Sequence, residues 1–174
     1  MGNELRKLSL ESRRWRIADE LNIEQCKVKA IIDRYIELCR ENLLNGHVVQ
    51  IFGLVTLVPD VKVDDFIATT AWYSKQISML ESVPFYTALQ TVKGYLESMQ
   101  ETLLEGKDVT IPRLVGIYSL QTVDNTYKVR SQISDTISKE ILDGCRCVTS
   151  VRVHTNKLFK EYVATVSATA VKEG

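Results

Sequence analysis

A chain of 174 residues with 45% apolar and 25% charged residues reads as a soluble globular protein and excludes a disordered polar segment. Twenty-two Lys and Arg against 22 Asp and Glu leave no net charge, which removes the usual electrostatic basis for a general nucleic-acid or membrane binder. The longest apolar runs, such as HVVQIFGLVTLV, fall short of the roughly 20 residues a membrane helix needs, and neither a signal peptide nor a myristoylation motif is readable; four cysteines without a readable bridge fit a reducing cytoplasm.

The first predicted element is a short amphipathic helix, SRRWRIADELN, with Trp15, Ile17, Ala18 and Leu21 as its expected buried set. A long helix follows between Asn22 and Gly46. Val28, Ile31, Ile32, Tyr35, Ile36, Cys39, Leu43 and Leu44 recur at three- and four-residue steps and share one face. Asn22 with Gln25 three residues on suggests a capping box, and Gly46 suits a left-handed helix end. The period then drops to two. Val49, Ile51, Val55 and Leu57 alternate around Gly53 as half-buried strands do. Pro59-Asp60 reads as a tight turn into VKV, a brief strand that leads into a helix.

A second short helix, AWYSKQISMLES, is expected to bury Trp72, Ile77 and Leu80. Beyond Pro84 a second long helix carries Leu89, Val92, Tyr95, Leu96, Met99, Leu103 and Leu104 on one face and ends at Gly106. Val109, Ile111, Val115 and Ile117 form the next hairpin around Pro112-Arg113. The stretch 121–150 is too long for a bare loop, and TYKVR and ISDTISKEILDG make it an arm with a strand and a small helix. Finally VRVHTNKLFKEYV reads as a strand running into a helix.

The two halves repeat one phrase sixty residues apart: ENLLNGHVVQIFGLVTLVP from Glu41 and ETLLEGKDVTIPRLVGIYSL from Glu101. The expected fold is therefore α+β, with two units of helix, helix, three strands and helix. Unit one covers 1–70 with its arm reduced to a tight turn, and unit two covers 71–174 with the arm at about 121–150. Asp64 to Glu81 holds neither Gly nor Pro, so the last helix of unit one is expected to run into the first of unit two and hold the units apart.

The phrase LLNGHVVQIFGLVT at 43–56 resembles the HU and integration-host-factor family of bacterial DNA-bending proteins, and the likeness covers nearly the whole chain, taken twice. Gly53 and Thr56 match the family's turn; Val55 stands where a second glycine is expected, and Pro112 to Gly116 departs further. The resemblance implies paired units with cationic β-arms and a proline wedge that props open a base step. This chain departs from that pattern. Segment 121–150 has no proline, and its Lys128, Arg130, Lys139 and Arg146 face Asp124, Asp135, Glu140 and Asp143. Without net charge the arm loses the counterion-release term that dominates such binding.

No phosphate loop, nucleophile elbow or HExxH motif suggests an enzyme. Cys145 and Cys147 form a bare CRC without a second pair, Cys26 and Cys39 are too far apart on one helix to bridge, and His47 and His154 stand alone, so neither metal nor cofactor is expected. The expectation is a structural assembly protein that forms homo-oligomers or binds other structural proteins, a ring of a tailed-phage neck or tail being one concrete version by analogy with the family. The alternative is an architectural DNA-binding protein. Candidate nucleic-acid or partner contacts are Arg13, Arg14, Arg16, Lys128, Arg130, Arg152, Lys157 and Lys160.

Overall fold

The computed structural model describes residues 10–105, 107–121, 127–143, 148 and 150–155. Among them are five helices and six strands: α1 (Leu10–Leu21), α2 (Gln25–Leu44), β1 (Val49–Ile51), β2 (Val55–Pro59), α3 (Thr70–Glu81), α4 (Phe85–Leu104), β3 (Val109–Ile111), β4 (Val115–Gln121), β5 (Tyr127–Ile133), α5 (Asp135–Leu142) and β6 (Val151–Thr155). The fold is α+β, with two small antiparallel sheets. No helix among the described residues is long and apolar enough to cross a membrane.

The sixty-residue spacing persists in the structure. The helices α1 and α3, α2 and α4, and the hairpin starts of β1 and β3 and of β2 and β4 are each offset by that interval. Backbone irregularities follow it too, since Asn22 and Ser82 both take φ of 53°, while Gly53 (76°) and Arg113 (63°) share the positive-φ place in their turns. Asn22 is not an N-cap. It ends α1 in the left-handed conformation, with Ile23 N–H bonded to the Ala18 carbonyl at 2.9 Å, the Schellman arrangement, and α2 begins after Glu24 without a side-chain cap. By contrast α3 is capped by Thr69, whose hydroxyl accepts from Trp72 N–H at 3.1 Å.

The core is one continuous cluster drawn from both halves of the chain. Helix α1 packs on α2 and α4, and α3 packs on α4 and α2, so each cross-contact has its counterpart when the halves are exchanged. The helical packing is thus reciprocal between the two halves. Tyr35 and Tyr95, Cys39 and Met99, and Leu43 and Leu103 are corresponding pairs on the buried faces of α2 and α4. The expected rigid spacer between the units is absent: residues 64–69 are not helical, α3 starts only at Thr70, and the halves share their interior.

The third strand of the first sheet corrects a further expectation. VKV does not pair with β2. Its place is taken by β6 from the far end of the sequence, with Leu57 opposite Val153 and Pro59 opposite Val151. Pro59 has its φ fixed near −65° and cannot supply the positive φ that two-residue hairpin turns prefer, so the chain leaves the sheet after β2. Asp60 then clasps Ser150 in both directions, its N–H donating to the Ser150 carbonyl at 2.9 Å and its carboxylate accepting from Ser150 N–H at 3.0 Å. Residues 61–67 fold back over the end of α2. Val63 N–H reaches the Gly46 carbonyl at 3.0 Å, and a Cβ at Gly46 would lie 2.7 Å from a Val63 methyl, so this crossing needs glycine.

The second sheet is closed locally, because β4 and β5 pair along seven residues and form the stem of the expected arm. Ser134 then caps α5, and its N–H holds the Leu114 carbonyl at 2.9 Å, which seats the helix over the hairpin. Strands β5 and β6 lie near one another at the edges of the two sheets, which remain separate, and the Ser131 and Thr155 hydroxyls are 3.1 Å apart across the gap. The helix expected after β6 lies outside the described residues.

Candidate interaction surfaces

The arginines of α1 are engaged within the molecule. Arg13 donates to the Ser98 carbonyl at 2.7 Å and to its hydroxyl at 3.3 Å, and burial lowers its pKa. Arg14 meets Asp33 at 3.4 Å. The exposed Arg16 bonds Glu20 at 3.0 Å and Glu101 at 3.1 Å, and the first of these contacts is the main reason its pKa rises. These contacts tie α1 to α2 and across to α4 of the other half. An arginine already bonded to carboxylate or carbonyl must give up that bond before it can hold a phosphate.

The strands behave differently. None of the six contains Asp or Glu. Arg152 and His154 are exposed on β6, paired with Val58 and Thr56, and Arg130 is exposed on β5 opposite Tyr118. Directly opposed residues share a face, so Arg152 and His154 in one sheet and Arg130 in the other stand on exposed faces of strands that contain no carboxylate of their own. Lys128 holds the β5 position opposite Leu120, and its side chain, like Lys157 and Lys160 as a whole, lies outside the described residues. The structure thus separates the predicted residues: three bind the helices together, and Arg130 and Arg152 stand on the two sheets.

Exposed apolar side chains are the feature that the helical pattern did not give. Trp15 and Leu80, both expected in the core, face solvent. The inward stripe of each short helix holds the expected Ile17 and Ala18 in α1 and the expected Ile77 in α3, the last joined by Tyr73 and Ser74. In segment 61–67, Val61, Val63, Phe66 and Ile67 are exposed, although Phe66 stacks edge-on against Trp72 at 5.7 Å. Phe52, Ala68, Lys93, Leu96, Glu97 and Gln100 are among the residues that line a groove of about 610 Å³. Lys93, Leu96, Glu97 and Gln100 stand sixty residues after Asp33, Ile36, Glu37 and Arg40, and Arg40 anchors α5 through Glu140 at 2.6 Å. The groove therefore lies along the stretch of α4 that corresponds to the seat of α5 on α2.

Buried titratable groups cluster where α2, α3 and α4 meet. Tyr35 and Tyr73 are edge-to-face at 5.2 Å, and burial pushes the Cys39 thiol up to about 12, which keeps it protonated and inert. His47 contacts Asp64 at 3.1 Å at the surface. No group of three or more His, Cys, Asp or Glu side chains that could hold a metal ion occurs among the described residues. Of the cysteines within them, Cys39 is buried and Cys26 exposed; Cys145 and Cys147 lie outside.

One signal in the sequence could have revealed the apolar surface. Aligned at sixty residues, Asp19, Glu20, Gln25 and Cys26 correspond to Met79, Leu80, Phe85 and Tyr86. A polar corner in one copy is an apolar corner in the other, and a shared core cannot explain the exchange when all eight side chains are exposed. Protein-family models, curated proteins and solved structures were compared with the chain, and none matches it.

Proposed function

We propose that this chain is a non-enzymatic structural module, a tandem HU/IHF-like protein in which the two units pair with each other, and that it works through protein contacts. The observation that carries the reading is how the surface is used. The α1 arginines are engaged within the molecule, Arg14 with Asp33 of α2 and Arg13 and Arg16 across to α4, whereas large apolar side chains are left exposed, most densely at the bend between α3 and α4 and along 61–67. Net charge of zero fits association better than polyanion binding. The sixty-residue correspondence of helices, hairpins and positive-φ residues supports the tandem arrangement, and the reciprocal packing supports pairing within the chain. A ring component of a tailed-phage neck or tail is a setting in which such a module would serve, built from closed chains and not from units that each lack a partner.

The exposed Arg130 and Arg152, on strands without Asp or Glu, favour a second reading, architectural DNA binding. With few cations available, that contact would be weak and strongly salt-dependent. Anisotropy of a labelled duplex, titrated at low and at physiological salt, decides between them. The assembly reading expects no binding below about 10 µM protein; sub-micromolar, salt-sensitive binding that is lost in Arg130→Ala/Arg152→Ala would overturn it.

A further inference from the structure

The corner where α3 passes into α4 projects four large apolar side chains: Met79 is 61% exposed, Leu80 52%, Phe85 42% and Tyr86 68%. They sit on either side of Ser82, whose left-handed backbone makes the corner, while Val83 between them turns inward and is buried. The four are therefore held on one rigid bend and not on a loose loop. The first unit provides an internal comparison, because the same bend there, around Asn22, carries Asp19, Glu20, Gln25 and Cys26. Identical backbone with opposite polarity removes folding as the reason for the apolar residues.

We infer that this corner is a self-association face that joins two copies of the chain about a two-fold axis. The inference rests on the assembly reading above and names its surface. Three features select a second copy as the occupant. An apolar patch is complementary to itself, which an isologous contact requires. Glu81, beside the bend, is matched by Arg34 at 2.9 Å, and a chain without net charge offers no long-range repulsion between copies. Finally, four side chains exposed to this degree present roughly 500 Å² per copy, so a pair covers about 1,000 Å², the lower bound of a specific interface. A contact at this low end of the size range belongs with weak, reversible associations.

The test transplants the polar corner onto the apolar one. Mass is measured by light scattering and sedimentation velocity from about 1 to about 300 µM, the range in which weak, reversible association is read. The wild-type chain is expected to move from one-chain to two-chain mass across this range, and M79D/L80E/F85Q/Y86S is expected to stay at one-chain mass. Phe52→Gln, in the groove away from the corner, should associate as wild type does. Circular dichroism checks that the quadruple variant is folded, and if it is not, Tyr86→Glu alone should weaken association at least ten-fold. A folded quadruple variant that dimerises like wild type overturns the inference and leaves the assembly reading standing on another surface. A wild-type chain that remains at one-chain mass throughout overturns it as well. The assembly reading itself fails by a separate measurement, tight DNA binding by the one-chain species.

Discussion

Replacing Val153 by Asp tests whether the first sheet depends on the far end of the chain. Along β6 the side chains alternate: Val151 and Val153 are half-buried against the core, and Arg152 and His154 are exposed. Val153 stands opposite Leu57, which is fully buried. Losing a half-buried valine costs about 1 kcal/mol of transfer free energy. A carboxylate facing leucine adds about 2 kcal/mol of unpaid desolvation. The sum, about 3 kcal/mol, corresponds to a fall in Tm of about 6–12 °C for a chain of this size. His154→Asp, one residue away on the exposed side, should stay within about 0.5 kcal/mol. Thermal and urea unfolding, followed by far-UV circular dichroism and by tryptophan fluorescence, measures both. Trp15 and Trp72 report on the two halves, and the shared core requires one coincident transition with either probe. Equal effects of the two substitutions would refute the register. Two separate transitions, with one half surviving the other, would refute the single core.

Three further outcomes follow from the interior. Tyr73 accepts a hydrogen bond from the Asn42 amide at 3.1 Å, whereas the buried Tyr95 hydroxyl has no partner among the described residues. Tyr73→Phe should therefore destabilise by about 1 kcal/mol and Tyr95→Phe should be neutral or stabilising, and urea midpoints in the opposite order would contradict this account. Brief alkylation near about pH 8, with peptide mapping, should label exposed Cys26 and spare Cys39 until the chain unfolds; early labelling of Cys39 would show the core to be open. Hydrogen bonds from Arg40 hold the Glu37 carboxyl below the usual range. A depressed folded pKa stabilises the native state above the ordinary glutamate value of about 4.3, and that contribution is lost as pH falls through the folded value. Glu37→Gln should flatten the acid limb of a stability-pH curve, and an unchanged limb would exclude this pair as its cause.

The helices and hairpins were legible because each is specified locally. Apolar spacing on Val28 to Leu44 and on Val92 to Leu104, and alternation on Val49 to Leu57, identify the buried faces that the structure displays. Pairing between distant segments leaves no such trace. VKV and VRV are equally good strand sequences, and periodicity states which face is buried without stating which strand lies alongside. The choice is made by Pro59, which denies a hairpin, and by the Asp60–Ser150 clasp, a contact between residues ninety apart. The fate of the arginines was illegible for a similar reason. An amphipathic helix predicts that Arg13 and Arg16 avoid the core, and only the docking of α1 on α4 brings Ser98 and Glu101 within their reach.

Comparing the copies position by position separates what the fold demands from what each unit does with it. Both hairpin turns require positive φ at their third residue, with Leu54 N–H bonded to Ile51 at 2.9 Å in one and Leu114 N–H to Ile111 at 3.1 Å in the other. Gly53 meets the demand without strain, and its carbonyl accepts from the Gln100 side-chain amide at 3.0 Å. At the equivalent place Arg113 accepts the left-handed conformation at a cost of about 1 kcal/mol, eased by Pro112, whose fixed φ pre-sets the preceding turn position. The turn survives a change from Gly to Arg because the strands on either side and α5 above Leu114 over-determine its backbone. A surface exchange such as Asp19 for Met79 is under no comparable backbone constraint. Divergence between the copies on an exposed bend of unchanged geometry is thus the place where a difference in use, and not a difference in folding, is written.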